Sequence, residues 1–130
     1  MVNVISILKK QRSFRSLGSV SMEDVNKAEQ ALNLKFSDDY KDYVQEFGIA
    51  SFEGHEFTGI CSFPRLNVIT VSEEERSLNP DVPKDWYVIE QTNMDGAVVW
   101  QRKDGTVFQT IPGAEPEQVA DSLTDYILKG

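Results

Sequence analysis

Hydrophobic positions follow helical spacing in the first third of the chain and change to strand-like alternation after it. Val4, Ile7 and Leu8 share one face of a helix predicted over residues 3–12. Ser13 to Val20 is polar, contains Gly18 and reads as a loop. Ser21 then precedes Met22, Val25, Ala28, Glu29 and Leu32, whose spacing marks the buried stripe of a second helix. Asp24, three residues after Ser21, supplies the capping-box partner. Asn33 to Lys35 break the pattern and Ser37 caps a third helix, with Asp38 and Asp39 in the first turn where the helix dipole favours acids. Tyr40, Tyr43, Val44 and Phe47 fall at i, i+3, i+4 and i+7, a core-facing stripe. Gly48 follows, as a left-handed C-terminal cap would require.

Beyond this point Glu56–Cys61 and Leu66–Val71 read as strands, the second rich in β-branched residues. Ser72-Glu73-Glu74-Glu75 is a further capping-box pattern and predicts a brief helix ending near Leu78. Asn79 to Pro83 holds two prolines and predicts a loop. Trp86–Gln91, Ala97–Arg102 and Thr106–Ile111 alternate as strands, the last two joined by the hairpin signal Lys103-Asp104-Gly105. Pro112-Gly113 ends the sheet. A final helix is expected from Glu115-Pro116, with Val119, Ala120, Leu123, Tyr126 and Ile127 as its stripe. Helices first, then strands, then a closing helix predict an α+β fold, a mostly antiparallel sheet with helices packed on one face.

Composition narrows the class. The 130 residues, 40% hydrophobic and 26% charged, fit one soluble domain over 1–130 that needs no metal or disulfide staple. No apolar run approaches the roughly 18 residues that cross a bilayer. The apolar patch Val2 to Leu8 is followed by positive charges, the reverse of a secretory signal, so a cytoplasmic protein is expected. Cys61 stands alone, which excludes an internal disulfide and a cysteine-based zinc cluster, and is expected as a small core residue.

Charge is distributed unevenly. Of 13 basic and 21 acidic residues, giving a net −8, residues 1–20 hold Lys9, Lys10, Arg12 and Arg15 and no acid. The N-terminal helix and loop are thus +4, and the body from 21 to 130 carries the other 9 bases and all 21 acids, a sum of −12. Such a body repels phosphate backbones, so nucleic acid is not an expected partner, whereas a basic protein would be steered to it. Four basic charges without an amphipathic anchor do not make a membrane site.

Candidate chemistry is sparse. His55 lies between Glu53 and Glu56, and on a strand Glu53 and His55 would share a face, the place where a metal or acid–base site would have to begin. It is the only histidine, and a site needs nucleophile, base and orienter together. We therefore expect no enzyme activity, no catalytic residue, no metal and no cofactor. Lys103-Asp104-Gly105-Thr106 is a turn, not a phosphate loop. Glu53, Glu56, Glu73, Glu74 and Asp95 are the candidate partner contacts, Asp95 in the turn Asn93–Gly96 and Glu73 and Glu74 at a solvated helix start. Trp86 and Trp100 are expected in the core, and Gly48, Gly59 and Gly96 are backbone devices.

Met22 to Gly48 resembles the signature of the SUKH superfamily, the group related to the Smi/Knr cell-wall-assembly regulators. The "E-x-x-L" acid falls at Glu29 to Leu32, a break with an apolar residue follows, and then comes a tyrosine-containing helix ending in glycine. Phe36-Ser37 stands where Leu-Pro is usual. Gly54-His55-Glu56-Phe57-Thr58-Gly59 is similar to the family's glycine-bounded strand; Val88-Ile89-Glu90, the Asp104-Gly105 turn and the closing helix with Ser122 and Tyr126 also fit. The resemblance spans residues 20–128. It implies a non-catalytic immunity or antitoxin protein that neutralises a cognate basic toxin, a nuclease, by occluding its active cleft. The alternative is a regulatory interaction scaffold with no toxin partner.

Overall fold

The computed structural model describes residues 3–129, so Val2 of the N-terminal apolar patch lies outside the described residues. The elements run α1 (Val4–Lys9), β1 (Arg15–Ser16), α2 (Met22–Leu32), α3 (Asp38–Phe47), β2 (Ala50–Phe52), β3 (His55–Phe57), α4 (Val68–Leu78), β4 (Tyr87–Gln91), β5 (Val98–Gln101), β6 (Val107–Thr110), β7 (Glu117–Ala120) and α5 (Leu123–Lys129). The seven strands form one sheet in sequence order, and every neighbouring pair is antiparallel. This is the α+β fold that the helix-then-strand pattern predicts.

Local chemistry sets the first three helices. Asn3 Oδ1 accepts from Ser6 N, Ser21 Oγ from Asp24 N and Ser37 Oγ from Tyr40 N, each satisfying one orphan amide of a first turn. Asn33, left-handed at φ 55° and ψ 48°, ends α2. Buried Glu29 then organises the connector, its Oε2 accepting from Phe36 N at 2.8 Å. Met22 departs from its expected stripe and is 48% exposed, because it sits in the first turn before the core-facing residues begin. Gly48 has positive φ as expected, but its ψ of −68° is not that of a left-handed helical cap. The carbonyl is turned to accept from Ile60 N at 3.0 Å.

The apolar stripes of α1, α2, α3 and α5 converge on Tyr87, Ile89, Val99 and Val107 of the sheet in the larger core. Burial of each such large side chain contributes about 1.5–3 kcal/mol. Its hydroxyls are all used. Thr58 Oγ1 donates to Val88 O (2.7 Å), so Tyr40 Oη is the donor of its 2.8 Å bond to Thr58. Tyr43 donates to Thr58 O, and Tyr87 Oη accepts from Ser37 N at 2.9 Å and donates to Gln101 Oε1 at 2.8 Å. A second, smaller core joins Val71 and Val82 to Trp86, Val88, Val98 and Trp100, with Trp86 stacked 4.0 Å from Phe108. Both tryptophans are core residues, as expected.

Several expected elements differ. Leu66–Val71 is not a strand: Asn67 Oδ1 accepts from Ile69 N and Thr70 N and starts α4 four residues before the Ser72 capping pattern. The helix prevails over β-branched propensity because it buries Val68, Val71, Ser72 and Glu75. It also fills the gap where β3 parts from β4, and Val88 N, which has no strand partner there, donates to Ser72 Oγ. Ser13 to Val20 carries the short edge strand β1, and the strand expected at Glu56–Cys61 is confined to β3, with β2 before it as its hairpin partner. Glu53 and Gly54 form the two-residue turn of that hairpin at φ 45° and 86°, so Glu53 does not share a strand face with His55. Glu115-Pro116 does not begin a helix: β7 intervenes, and α5 starts only after Ser122, whose Oγ accepts from Asp125 N. Asp39 reaches across from α3 to accept from Leu123 N at 2.7 Å, which fixes that start by tertiary contact. Cys61 is half-buried outside the core, in the irregular stretch after Gly59.

Candidate functional site

A register shift in β4 between Val88 and Glu90 places Ile89 and Glu90 on the helix-covered side of the sheet and Gln91 on the other. On the covered side Glu90 is buried, with His55 Nδ1 2.8 Å from its Oε2 and Tyr126 Oη donating to its Oε1 at 2.6 Å. His55 packs against Phe52, Phe57 and Tyr126. The Glu90 carboxylate and burial together push the Tyr126 hydroxyl far above its ordinary pKa, burial being the larger cause. The cluster ties β3, β4 and α5 together. Among the described residues no group of three or more His, Cys, Asp or Glu is arranged to hold a metal ion.

The opposite side of the sheet is only part-covered by α4. Between the loop after α4 and the loop from β6 to β7 lies an open groove of about 870 Å³. Leu78 and Asp81 form one wall, Ile111 and Glu115 the other, and Gln91 and Val98 are among the residues between them. Pro80, Pro112 and Pro116 stiffen both walls by fixing φ. Glu75 also lines it; its Oε2 accepts from Gln91 Nε2 at 2.5 Å and its Oε1 from Asn79 Nδ2 at 3.4 Å, so amides rather than a cation hold this buried carboxylate. The described residues lining the groove include three acids, Glu75, Asp81 and Glu115, and no lysine or arginine.

Gln91 and Asn93 also line a second concavity of about 200 Å³ with Glu56 and Arg65, so the two hollows adjoin at these residues. Arg65 donates to both Glu56 oxygens at 2.9 and 3.0 Å, and these bonds hold the Glu56 carboxyl below its ordinary pKa. Glu56 and Leu66 lead on to a third hollow beside Leu17, which is exposed.

The sequence-predicted contacts therefore separate. Glu56 lines the second hollow but is ion-paired. Asp95 is exposed in the turn between Asn93 and Gly96; those two neighbours line the larger groove, but Asp95 itself lines none of the three hollows. Glu53 is exposed in the β2–β3 turn, and Glu73 and Glu74 are exposed on α4; these three line none of the three hollows. Glu75, Asp81 and Glu115, which do line the groove, were not among the expected contacts. An available signal was the pairing of acid with proline at Pro80-Asp81 and Glu115-Pro116, which marks a charge on a stiff loop.

An antiparallel seven-strand meander with its main core under four helices is an α+β scaffold of the SUKH type. The chain matches the family model described as SMI1-KNR4 cell-wall over residues 1–129, and it belongs to that family. No curated protein matches it. No helix among the described residues is long and apolar enough to cross a membrane.

Proposed function

We propose that this chain is a non-catalytic immunity protein of the cytoplasm that binds a cognate basic protein toxin, a nuclease, and neutralises it by covering the active cleft. The observation that carries the reading is the −12 body charge on a chain of the SMI1-KNR4 family. A nuclease must attract phosphates, and an acidic protein surface exploits the same field to speed association. Acidity disfavours direct nucleic-acid binding for the same reason. Affinity would come from desolvated anchors at the centre of the interface, charge from its rim.

The test is co-expression with the product of the neighbouring gene, scored by survival, together with complex formation at low and high salt. Protection, with a complex that dissociates faster and forms more slowly as salt rises, is expected. Failure to protect combined with no complex at low salt would overturn the reading. A complex with a host protein and none with a toxin would point instead to a regulatory scaffold.

A further inference from the structure

We infer that the groove between residues 78–82 and 111–116 is the docking site for an arginine-bearing segment of the partner, flanked by apolar residues. This rests on the protein-binding reading above and names the part of the partner that is recognised. The walls bring Asp81 and Glu115 to one hollow with Glu75, and no base lines it. Among the described residues neither Asp81 nor Glu115 has a cation within salt-bridge distance, whereas Glu23, Asp38, Glu56, Asp104 and Asp125 each have one. The free negative charge in the hollow is therefore available to an incoming cation.

The apolar component is equally specific. Leu78 and Ile111, 75% and 40% exposed, stand on opposite walls, so an entering segment meets a large aliphatic side chain on either side of the acids. Exposed leucine and isoleucine lose unfavourable hydration when covered. Gln91 and Asn93 carry amide oxygens that can accept from the planar donors of a guanidinium. A guanidinium is more weakly hydrated than an ammonium and presents five directed donors, so arginine suits a hollow with carboxylates and amide oxygens better than lysine does. A volume of about 870 Å³ is in the range that holds a ligand of tripeptide size. The three prolines hold the walls near one conformation, which lowers the ordering cost of binding.

The probe is the peptide acetyl-Leu-Arg-Leu-amide, titrated into the isotopically labelled full chain and followed by amide chemical shifts. Saturable shifts are expected at Val98, Gly113 and Ala114, with a midpoint in the millimolar range. Acetyl-Leu-Gln-Leu-amide should bind at least about fivefold more weakly, since it lacks the charge-assisted bonds. The double variant D81N/E115Q should erase that preference, and E73Q/E74Q, which removes the same charge outside the groove, should keep it. No saturable shift in the groove, or equal binding of the two peptides, overturns the inference. The toxin from the neighbouring gene gives the second arm. If it binds the parent and the two double variants weaken it equally, only the overall field matters and the groove is refuted while the immunity reading stands. If the peptide titrates the groove with the expected selectivity but no toxin is neutralised, the groove stands and the immunity reading falls.

Discussion

Gly59→Ala is a one-methyl change that should cost far more than its size. A Cβ built on Gly59 lies 1.7 Å from Gly48 O and 2.8 Å from Gly48 C. Relief to the shortest ordinary contact, about 3.4 Å, requires a relative backbone movement of about 1.7 Å, because buried groups pack at van der Waals distance. The obstacle is backbone, so no rotamer change can remove it. Gly48 is held from both sides: its N donates to Val44 O at 2.8 Å, and its O accepts from Ile60 N at 3.0 Å. A Cβ on Gly48 itself would meet Gly18 O at 2.7 Å, so the β1 approach hems it in as well. Moving the Gly48 carbonyl breaks the Ile60 bond, at about 1–3 kcal/mol for the stranded groups. Overpacking adds about 1–3 kcal/mol. Reduced freedom of the unfolded chain returns about 0.4–1 kcal/mol. The net loss is about 1–5.5 kcal/mol, a large share of a stability that for most domains is about 5–15 kcal/mol. Gly54→Ala is the control: φ is +86° but nothing lies within 4 Å, so only strain of about 1–2 kcal/mol applies, less the same entropic return. Urea denaturation followed by the fluorescence of buried Trp86 and Trp100 measures both. A Gly59→Ala protein within about 0.5 kcal/mol of the parent, or no less stable than Gly54→Ala, refutes the reasoning, since that is the ordinary range of neutral substitutions.

Tyr87→Phe strands Ser37 N and Gln101 Oε1 in the core and should lower stability by about 1–3 kcal/mol, against about 1 kcal/mol for Tyr40→Phe, where Thr58 keeps its bond to Val88 O; the same urea assay compares them. Glu29→Ala leaves Phe36 N without its acceptor and should cost about 2–3 kcal/mol by the same measurement, with no loss for Glu23→Ala, whose partner Lys27 is on the solvent face. All four tyrosines, Tyr40, Tyr43, Tyr87 and Tyr126, have their hydroxyl pKa raised, burial being the main cause. Their folded values lie above the unfolded value near 10, so stability is full below about pH 10 and is lost as pH rises beyond it. Absorbance at the phenolate band should therefore rise only together with cooperative alkaline unfolding; a tyrosine that ionises reversibly in the folded protein below that transition contradicts the packing.

What was legible in the sequence had a local cause. Ser21 and Ser37 cap the amides three residues ahead of them, and the Tyr40, Tyr43, Val44 and Phe47 stripe buries as its spacing requires. The β4, β5 and β6 run was legible because its turns and alternation lie in neighbouring residues. Where a distant partner decided the outcome, local signals pointed elsewhere. Val68, Ile69, Thr70 and Val71 favour a strand, yet Ser72 meeting Val88 sixteen positions away belongs to a helix lying along β4. The start of α5 depends on Asp39, 84 residues earlier. The groove was hidden for the same reason: Glu75, Asp81 and Glu115 meet only after the sheet turns back on itself. Exposed Glu73 and Glu74 read as contacts, while the neighbouring Glu75 points inward to Gln91.

The family marker and the charge available to a partner lie in different places, and the reason is how each acid is used. Glu29, the acid of the "E-x-x-L" motif, is spent inside the fold on Phe36 N, with Lys35 3.9 Å from its other oxygen. Glu90 is held by His55 and Tyr126, and Glu56 by Arg65. A carboxylate so engaged would have to give up its bonds before it could meet a partner, and leaving a buried donor unsatisfied costs about as much as a new interfacial bond returns. Asp81 and Glu115 have no such internal commitment among the described residues and sit on proline-stiffened loops. Residues 111–116 take part in neither core, and of residues 78–82 only Val82 does, so Asp81 and Glu115 can be exchanged without disturbing either. On the docking site inferred above, one SMI1-KNR4 scaffold would present different charge patterns at this groove, and partner choice would follow the 78–82 and 111–116 loops rather than the helices that identify the fold.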